Sequence, residues 1–119
     1  GEFKNIFPKI SLKNKITAAS LASKRSNAVV VLKGYNTIIA SPNGETCINT
    51  NSTPELATIG SGDVLSGIIS SLVGKNKMSP FQAACAGVWL HSEAANKFGK
   101  GLIAEDIIRC IPSALRKIL

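Results

Sequence analysis

The sequence predicts an α/β fold, and three observations support this prediction. Segments with helical periodicity lie before and after three short apolar segments, an order that is typical of helices covering a sheet. Apolar residues make up 45% of the chain and charged residues only 18%, which is the composition of a globular domain rather than a disordered segment. A length of 119 residues suits one domain with a core of its own.

The first predicted element is a helix over residues 11–25. Ser11 can cap its N-terminus, because a serine oxygen accepts hydrogen bonds from the free N–H groups of a first helical turn. The inner face of this helix would consist of apolar side chains at helical spacing: Leu12, Ile16, Ala19, Leu21 and Ala22.

Three strands are predicted next. Residues 28–32 form a continuous, largely β-branched run, which is typical of a strand buried in a sheet that helices cover. Residues 34–36 form a turn, and a second strand follows at 37–40. Residues 41–44 have the composition of a tight hairpin turn, so the strand over 45–49 should pair back with the second strand.

A polar loop over residues 50–58 leads to the tetrapeptide Gly60-Ser61-Gly62-Asp63. An apolar stripe at helical spacing follows directly within 64–73, so the tetrapeptide should begin a helix with Asp63 in its first turn. Free N–H groups and the positive end of the helix dipole make such a place an anion site. A carboxylate beside a bound phosphate can take a proton from an attacking hydroxyl. The alternative interpretation is structural, with Ser61 as an N-cap and Asp63 as an ordinary first-turn acid.

Two further helical segments are predicted in the C-terminal third. Ser79 supplies an N-cap for a helix over about 80–98, whose first residue is a proline and which the glycines of 99–101 end. A final helical pair extends over 105–119, with Pro112 beginning its second part.

The charge distribution argues against a nucleic-acid partner. Of the net charge of +7, residues 1–33 carry +6, from seven Lys and Arg against one Glu, and the remainder carries +1. The basic residues are scattered singly, without an Arg-rich run or interleaved aromatic residues. The positive field still favours phosphorylated small molecules.

The sequence also argues against a membrane or metal partner. No apolar run approaches the roughly 20 residues that span a bilayer. The three cysteines, Cys47, Cys85 and Cys110, have no CxxC spacing, which predicts free thiols in a reducing cytoplasm rather than disulfides or a zinc site. His91 has no metal partners at useful spacing, so we interpret it as a hydrogen-bonded helix histidine rather than a catalyst.

Four segments together resemble a known family. The strongest are the Lys-Gly-x-x-Thr motif, Lys33 to Thr37, and the stretch over 57–69 around the tetrapeptide. Residues 79–84 with Leu90-His91, and the tail from 104 to 116, extend the likeness over essentially the whole chain. The sequence is similar to the C-terminal half of the ADP/ATP-dependent NAD(P)H-hydrate dehydratases, within the ribokinase-like superfamily.

The resemblance implies a reaction and residues for it. ADP or ATP would phosphorylate the hydroxyl of hydrated NADH or NADPH, and loss of phosphate would restore the cofactor. Asp63 would be the catalytic base and would contact the hydrated cofactor, while Gly60, Ser61 and Gly62 would form the anion hole. Mg²⁺ would bridge the nucleotide phosphates. The nucleotide would be held by six residues: Lys33, Gly34, Tyr35, Asn36, Thr37 and Gly62.

Two departures from the family pattern bear on this interpretation. Ile59 stands where the family has a small residue, and a bulky side chain there can alter the direction of one amide in the anion-binding turn. The chain also lacks the family's N-terminal half. We therefore expect residues 1–119 to form a single partial domain of a larger three-layer fold, incomplete as an enzyme. It would form a homo-oligomer or associate with a missing N-terminal segment, because three strands leave a sheet edge bare.

Two alternatives remain open. The chain can belong to a small-molecule kinase of the same superfamily, acting on a vitamin precursor or a carbohydrate, in which case the phosphate stays on the product. It can also be a non-catalytic remnant, which needs no turnover. The resemblance leaves the choice between ADP and ATP open.

Overall fold

Three antiparallel strands lie between helices in the computed structural model, which describes residues 1–117. The elements in chain order are α1 (Glu2–Ile6), α2 (Lys15–Ser26), β1 (Val30–Leu32), β2 (Thr37–Ala40), β3 (Thr46–Asn49), a short 3₁₀ turn (Pro54–Leu56), α3 (Ser61–Gly74), α4 (Pro80–Phe98) and α5 (Ala104–Arg116).

The central strand β2 separates two parts of the core. The strand order is β1-β2-β3, and the predicted hairpin between β2 and β3 is confirmed, with Ile39 opposite Cys47. Ile38 packs with Ala19 of α2, whereas the alternate residue Ile39 packs with Leu65 of α3 and with α4. Alternation along a strand therefore places α2 on one face of the sheet and α3 with α4 on the other.

Strand β1 is less buried than its sequence predicts. All three of its residues are only half-buried, whereas every residue of β2 is buried. The reason is position in the sheet: β1 has one strand neighbour among residues 1–117, and β2 has two. The apolar run 28–32 thus has the composition of an interior strand in an edge position.

Helix α2 begins four residues later than predicted, at Lys15. Its N-cap is Asn14, whose Oδ1 accepts a hydrogen bond from Thr17 N at 3.1 Å, while Ser11 Oγ accepts from Lys13 N outside the helix. The predicted inner face is also partly wrong, because Ile16 and Leu21 are exposed. Small residues form the buried face and let the helix lie close to the sheet: Ala18, Ala19, Ala22 and Ser23.

Helix α4 matches its prediction and is the central support of the C-terminal part. It covers Pro80–Phe98, with Ser79 Oγ accepting from Gln82 N at 3.3 Å and Gly99 at its end with a φ of 86°. Helix α3 crosses it closely at Gly87, where a Cβ would lie 2.7 Å from Ile69 Cγ1. Any larger side chain at position 87 would therefore separate α3 from α4.

The predicted final helical pair is one helix among the described residues. Helix α5 runs through Pro112, whose ring lies exposed on the outer face, where water can satisfy the carbonyl that loses its N–H partner. Residues 118 and 119 of the predicted segment lie outside the described part. Two short elements were not predicted, α1 and the 3₁₀ turn; α1 contributes Phe3 to a small core around Ile10.

Candidate functional site

A cavity of about 740 Å³ lies where three parts of the chain meet. One wall is the turn after β1, a second is the loop over residues 52–59, and the third is formed by the start of α3 together with α4. Six residues that the sequence assigns to a site line this cavity: Lys33, Gly34, Tyr35, Thr37, Ser61 and Gly62. The fold therefore brings the two motifs of the sequence to one place.

The start of α3 leaves backbone donors free. Gly60 is the N-cap, with a φ of 86° that favours glycine, and its position is tight because a Cβ there would lie 3.3 Å from Ala104 Cβ. Ser61 is the first helical residue and does not cap the helix, so the structural interpretation of Ser61 is wrong. None of the hydrogen bonds within residues 1–117 uses the N–H of Gly62 or Asp63. These N–H groups and the helix dipole favour an anion.

Lys33 brings a positive charge to the same point. A Cβ at Gly62 would lie 3.4 Å from Lys33 Nζ, so the ammonium group lies directly against the backbone of the first turn of α3. An ammonium group next to free helical N–H groups makes a strong site for phosphate.

The turn that carries Lys33 is held by its own residues. Thr37 is buried, and its Oγ1 lies 3.4 Å from both the N and the O of Gly34, so one hydroxyl accepts from and donates to the same residue. Tyr35 at the tip of the turn is 81% exposed although it lines the cavity. Such an exposed ring is available to a ligand.

Three predicted site residues do not line the cavity: Asn36, Gly60 and Asp63. Asp63 directly follows the lining residue Gly62, in the first turn of α3, and its side chain is exposed. Its carboxylate forms no hydrogen bond or ion pair with any part of residues 1–117. The carboxylate is therefore unengaged and lies in the same helical turn as the free N–H groups.

The turn over residues 60–63 is held from α4 by His91, a contact that the sequence did not predict. His91 is 6% exposed, and its Nε2 lies 2.9 Å from the backbone O and 3.1 Å from Oγ of Ser61. The interpretation of His91 as a hydrogen-bonded helix histidine is confirmed. Burial lowers the pKa of His91, the hydrogen bond to Ser61 opposes this effect, and the charge of Lys33 lowers the pKa further. The ring is therefore neutral at pH 7.

The loop between β3 and α3 is attached to α4 by asparagines. Asn49 Nδ2 donates to Ser92 Oγ at 3.3 Å, and Asn51 Nδ2 donates to Glu93 Oε1 at 3.2 Å. Asn96 Nδ2 donates to the backbone O of Asn51 at 2.6 Å. These bonds fix the second cavity wall to the helix that also carries His91.

Ile59 does not distort the turn in the way the sequence suggested. The positive φ lies at Gly60, and the only non-glycine residues of 1–117 with positive φ are Asn27 and Lys77. Ile59 is 98% exposed and lines the cavity, so its side chain extends outward beside the site.

The described residues support neither a thiol nucleophile nor a metal ion held by protein side chains. Cys47 and Cys85 pack against the core, and burial, reinforced by the neighbouring Cys47 and Glu45, raises the pKa of Cys85 to about 12. Its thiol is thus not an available nucleophile. No group of three His, Cys, Asp or Glu side chains within residues 1–117 is arranged to hold a metal ion. No helix of the same residues has the length and apolar character needed to cross a membrane.

Comparison with known proteins gives a consistent result. The family model described as NAD(P)H-hydrate dehydratase matches residues 1–113. The ADP-dependent (S)-NAD(P)H-hydrate dehydratase of Neisseria meningitidis is 54% identical over 86 residues, covering 67% of this chain and 29% of that protein.

Solved structures agree with the family match. The ADP/ATP-dependent NAD(P)H-hydrate dehydratase of Bacillus subtilis, crystallised with ATP and Mg²⁺, superposes with a TM-score of 0.90 and 27% identity, covering 98% of this chain and 46% of that one. A ribokinase-like protein of Enterococcus faecalis, 24% identical with a TM-score of 0.82, supports the fold alone; it matches 98% of this chain and 41% of its own. The chain thus spans less than half the length of these structures, and from 18% to 29% of the length of its sequence relatives.

Proposed function

The chain belongs to the NAD(P)H-hydrate dehydratase family, and we propose that it forms the C-terminal, phosphate-binding part of an enzyme that dehydrates hydrated NADH and NADPH with ADP or ATP. One observation carries the proposal: Lys33 Nζ lies against the backbone of Gly62, at a helix start whose free N–H groups precede an unengaged Asp63. This combination provides what phosphoryl transfer requires, a bound anion next to a base.

The proposed reaction has two stages. Asp63 takes the proton of the hydrate's hydroxyl, whose oxygen attacks the terminal phosphorus of the nucleotide, and the bond from that phosphorus to the bridging oxygen breaks. ADP would leave as AMP, and ATP as ADP. The new phosphate ester then departs as phosphate while a ring proton is lost, which restores the carbon–carbon double bond of the reduced cofactor. The N–H groups of the 60–63 turn and Lys33 oppose the negative charge on the phosphoryl oxygens.

We assign the nucleotide to the turn formed by residues 33–37, with Gly62 opposite it. Residues 33–36 are exposed, so the turn offers its backbone and the ring of Tyr35 to a ligand, while the Thr37 hydroxyl is engaged with Gly34 and closes the turn. Asp63 would contact the hydrated cofactor, since the base must reach the reacting hydroxyl.

Mg²⁺ would enter with the nucleotide. Residues 1–117 hold no cluster of three side chains that could bind a metal ion. Asp63 is the carboxylate beside the proposed phosphate site, and a single carboxylate suits an ion that is bound chiefly by phosphate oxygens and water. When bound, the ion would neutralise phosphate charge.

We further propose that this chain needs another segment to complete the enzyme. The chain corresponds to 46% of the Bacillus subtilis structure, and we propose that residues 1–119 are a single partial domain. The half-exposed strand β1 offers its free edge to the other segment or to a second copy of this chain. The three free cysteines fit a reducing, cytoplasmic setting.

The test uses the full-length protein with hydrated NADH, Mg²⁺ and either ADP or ATP. Restored NADH absorbance with an equal amount of free phosphate supports dehydration. A phosphorylated product without free phosphate would identify a kinase instead. Nucleotide binding without turnover would identify a non-catalytic protein. Replacing Asp63 by Asn is the negative control for the first outcome.

A further inference from the structure

A buried histidine outside the proposed reaction contacts the anion-binding turn. His91 and Ser61 are both almost fully buried, at 6% and 5% exposure, and lie 30 residues apart in the chain. His91 Nε2 lies within hydrogen-bond distance of both oxygens of Ser61, and both residues line the cavity beside Lys33. A contact of this kind can determine how Ser61 is presented to a ligand.

The geometry fixes which atom carries the proton. The backbone O of Ser61 can only accept a hydrogen bond, so His91 Nε2 at 2.9 Å must carry the hydrogen. Nε2 then has no lone pair for the Ser61 hydroxyl at 3.1 Å, and the serine oxygen accepts from the same N–H. His91 therefore cannot withdraw the Ser61 proton, which rules out a Ser–His nucleophile here.

The contact with His91 determines the direction of the Ser61 hydroxyl. Its oxygen is held by His91, and its hydrogen has no acceptor elsewhere within residues 1–117. The remaining direction is towards the cavity that Ser61 lines, where the Lys33 ammonium and the free N–H groups of α3 also converge. Because burial keeps the His91 ring neutral, the histidine orients Ser61 without adding a positive charge beside Lys33.

We propose that His91 is a positioning residue of the phosphoryl-transfer site, orienting Ser61 so that its hydroxyl donates a hydrogen bond to an oxygen of the transferring phosphoryl group. This inference rests on the proposed function. In this role His91 acts through Ser61 rather than by binding the nucleotide or the cofactor itself.

The test is a double-mutant cycle in the full-length protein. His91→Leu removes the donor, and we expect kcat to fall about 10-fold or more, with a smaller change in the KM for nucleotide. His91→Gln places an amide N–H near the position of Nε2 and should keep kcat within about 3-fold of the parent. In a Ser61→Ala background, His91→Leu should lower kcat by less than about 2-fold, since the hydroxyl that His91 orients is gone, although the backbone O at position 61 can still accept from His91.

Leu90→Ala is the matched control for packing. Leu90 is buried on α4 next to His91 but does not line the cavity, so this variant should lower thermal stability without the loss in kcat. Equal loss of kcat in Leu90→Ala, or additive losses for His91→Leu and Ser61→Ala, would overturn the positioning role. So would an unchanged kcat in a folded His91→Leu protein.

The ring tautomer provides a readout that is independent of activity. The ¹⁵N signals of His91 are those absent from His91→Gln, and at neutral pH they should show a protonated Nε2 and an unprotonated Nδ1. The opposite tautomer would contradict the contact with Ser61. A wild-type protein without dehydratase activity would overturn the proposed function. The tautomer would still show, independently of activity, whether His91 Nε2 donates to Ser61.

Discussion

The two turns that meet at the cavity are held in different ways. The turn over residues 33–37 is closed by Thr37 and Gly34, three residues apart, within an antiparallel pair of strands. The turn over residues 60–63 is held by contacts from far along the chain, with His91 on Ser61 and Ala104 against Gly60. The first turn is closed by local hydrogen bonds alone, whereas the second combines local hydrogen bonds with contacts from α4 and from Ala104 of α5.

This difference separates binding from catalysis in the proposed enzyme. The local turn would hold the nucleotide, and the turn that depends on packing would hold the transferring phosphoryl group and the base. Loss of helix packing should therefore affect turnover before nucleotide binding. Four changes, ordered from the largest expected effect to the smallest, test this separation.

The largest effect is expected for Asp63→Asn. Removal of a general base typically lowers the rate about 100- to 10,000-fold, whereas nucleotide affinity should stay within a few-fold, because five of the six proposed nucleotide-binding residues lie in the other turn. Hydrate repair and ADP or ATP titration on the same variant measure both. Glu105→Gln removes an exposed first-turn acid of α5 and is the matched control. Near-parental turnover in Asp63→Asn would contradict the assignment of Asp63 as the general base.

Gly34→Val should lower the affinity for the nucleotide but not the affinity for the hydrated cofactor. A Cβ at Gly34 would lie 3.2 Å from Lys15 Nζ, the end of a flexible side chain, so the fold can adjust while the turn loses its close approach to a ligand. We expect nucleotide affinity to fall about 10-fold, the loss of roughly one good contact, with affinity for the hydrated cofactor unchanged. Gly67→Ala, on α3 with open space at its Cβ, is the control glycine. Equal weakening for both ligands would contradict two separate sites.

Gly60→Ala tests the turn that depends on packing. Its φ of 86° strains an alanine, and the added Cβ would meet Ala104 Cβ at 3.3 Å. We expect the free energy of unfolding to fall by about 1–2 kcal/mol, with kcat reduced more than nucleotide affinity. Denaturant unfolding and steady-state kinetics measure these quantities. A variant with parental stability and kcat would mean that the turn tolerates a side chain.

The smallest expected effect is a pH dependence of stability due to His91. Its pKa in the folded chain is below its ordinary value of 6.5, because burial disfavours the charged ring and Lys33 repels it. The unfolded chain therefore binds more protons just below pH 6.5, and the free energy of unfolding should fall as the pH drops from 7 through this range. Thermal unfolding of His91→Gln should show a smaller decrease over the same pH range. Identical pH profiles would show that His91 does not titrate differently on folding.

Local signals in the sequence account for the elements that were predicted correctly. The helix Pro80–Phe98 begins at a serine cap followed by proline and ends at a glycine, and the strand Thr37–Ala40 is set off by turn residues on both sides. Two errors, at the start of α2 and within α5, arise where two local signals compete. Asn14 caps α2 in place of Ser11, and Pro112 continues α5 because its ring faces outward. Local sequence patterns do not show which of two possible caps a helix uses, or whether a proline ends the helix.

Local sequence patterns were enough to predict the two turns from which the candidate site is built. The composition of residues 34–36 predicted a turn after a strand, and the glycines before Asp63 predicted a helix start that binds anions. The tertiary structure alone decided that Lys33 Nζ lies against Gly62, and that His91 holds Ser61. Each of these contacts joins residues about 30 positions apart, and their distances depend on how the helices pack against the sheet. Local propensity and periodicity act over a few residues, so they predict where the two turns lie, but not the long-range contacts that hold the second turn or the cavity between the two.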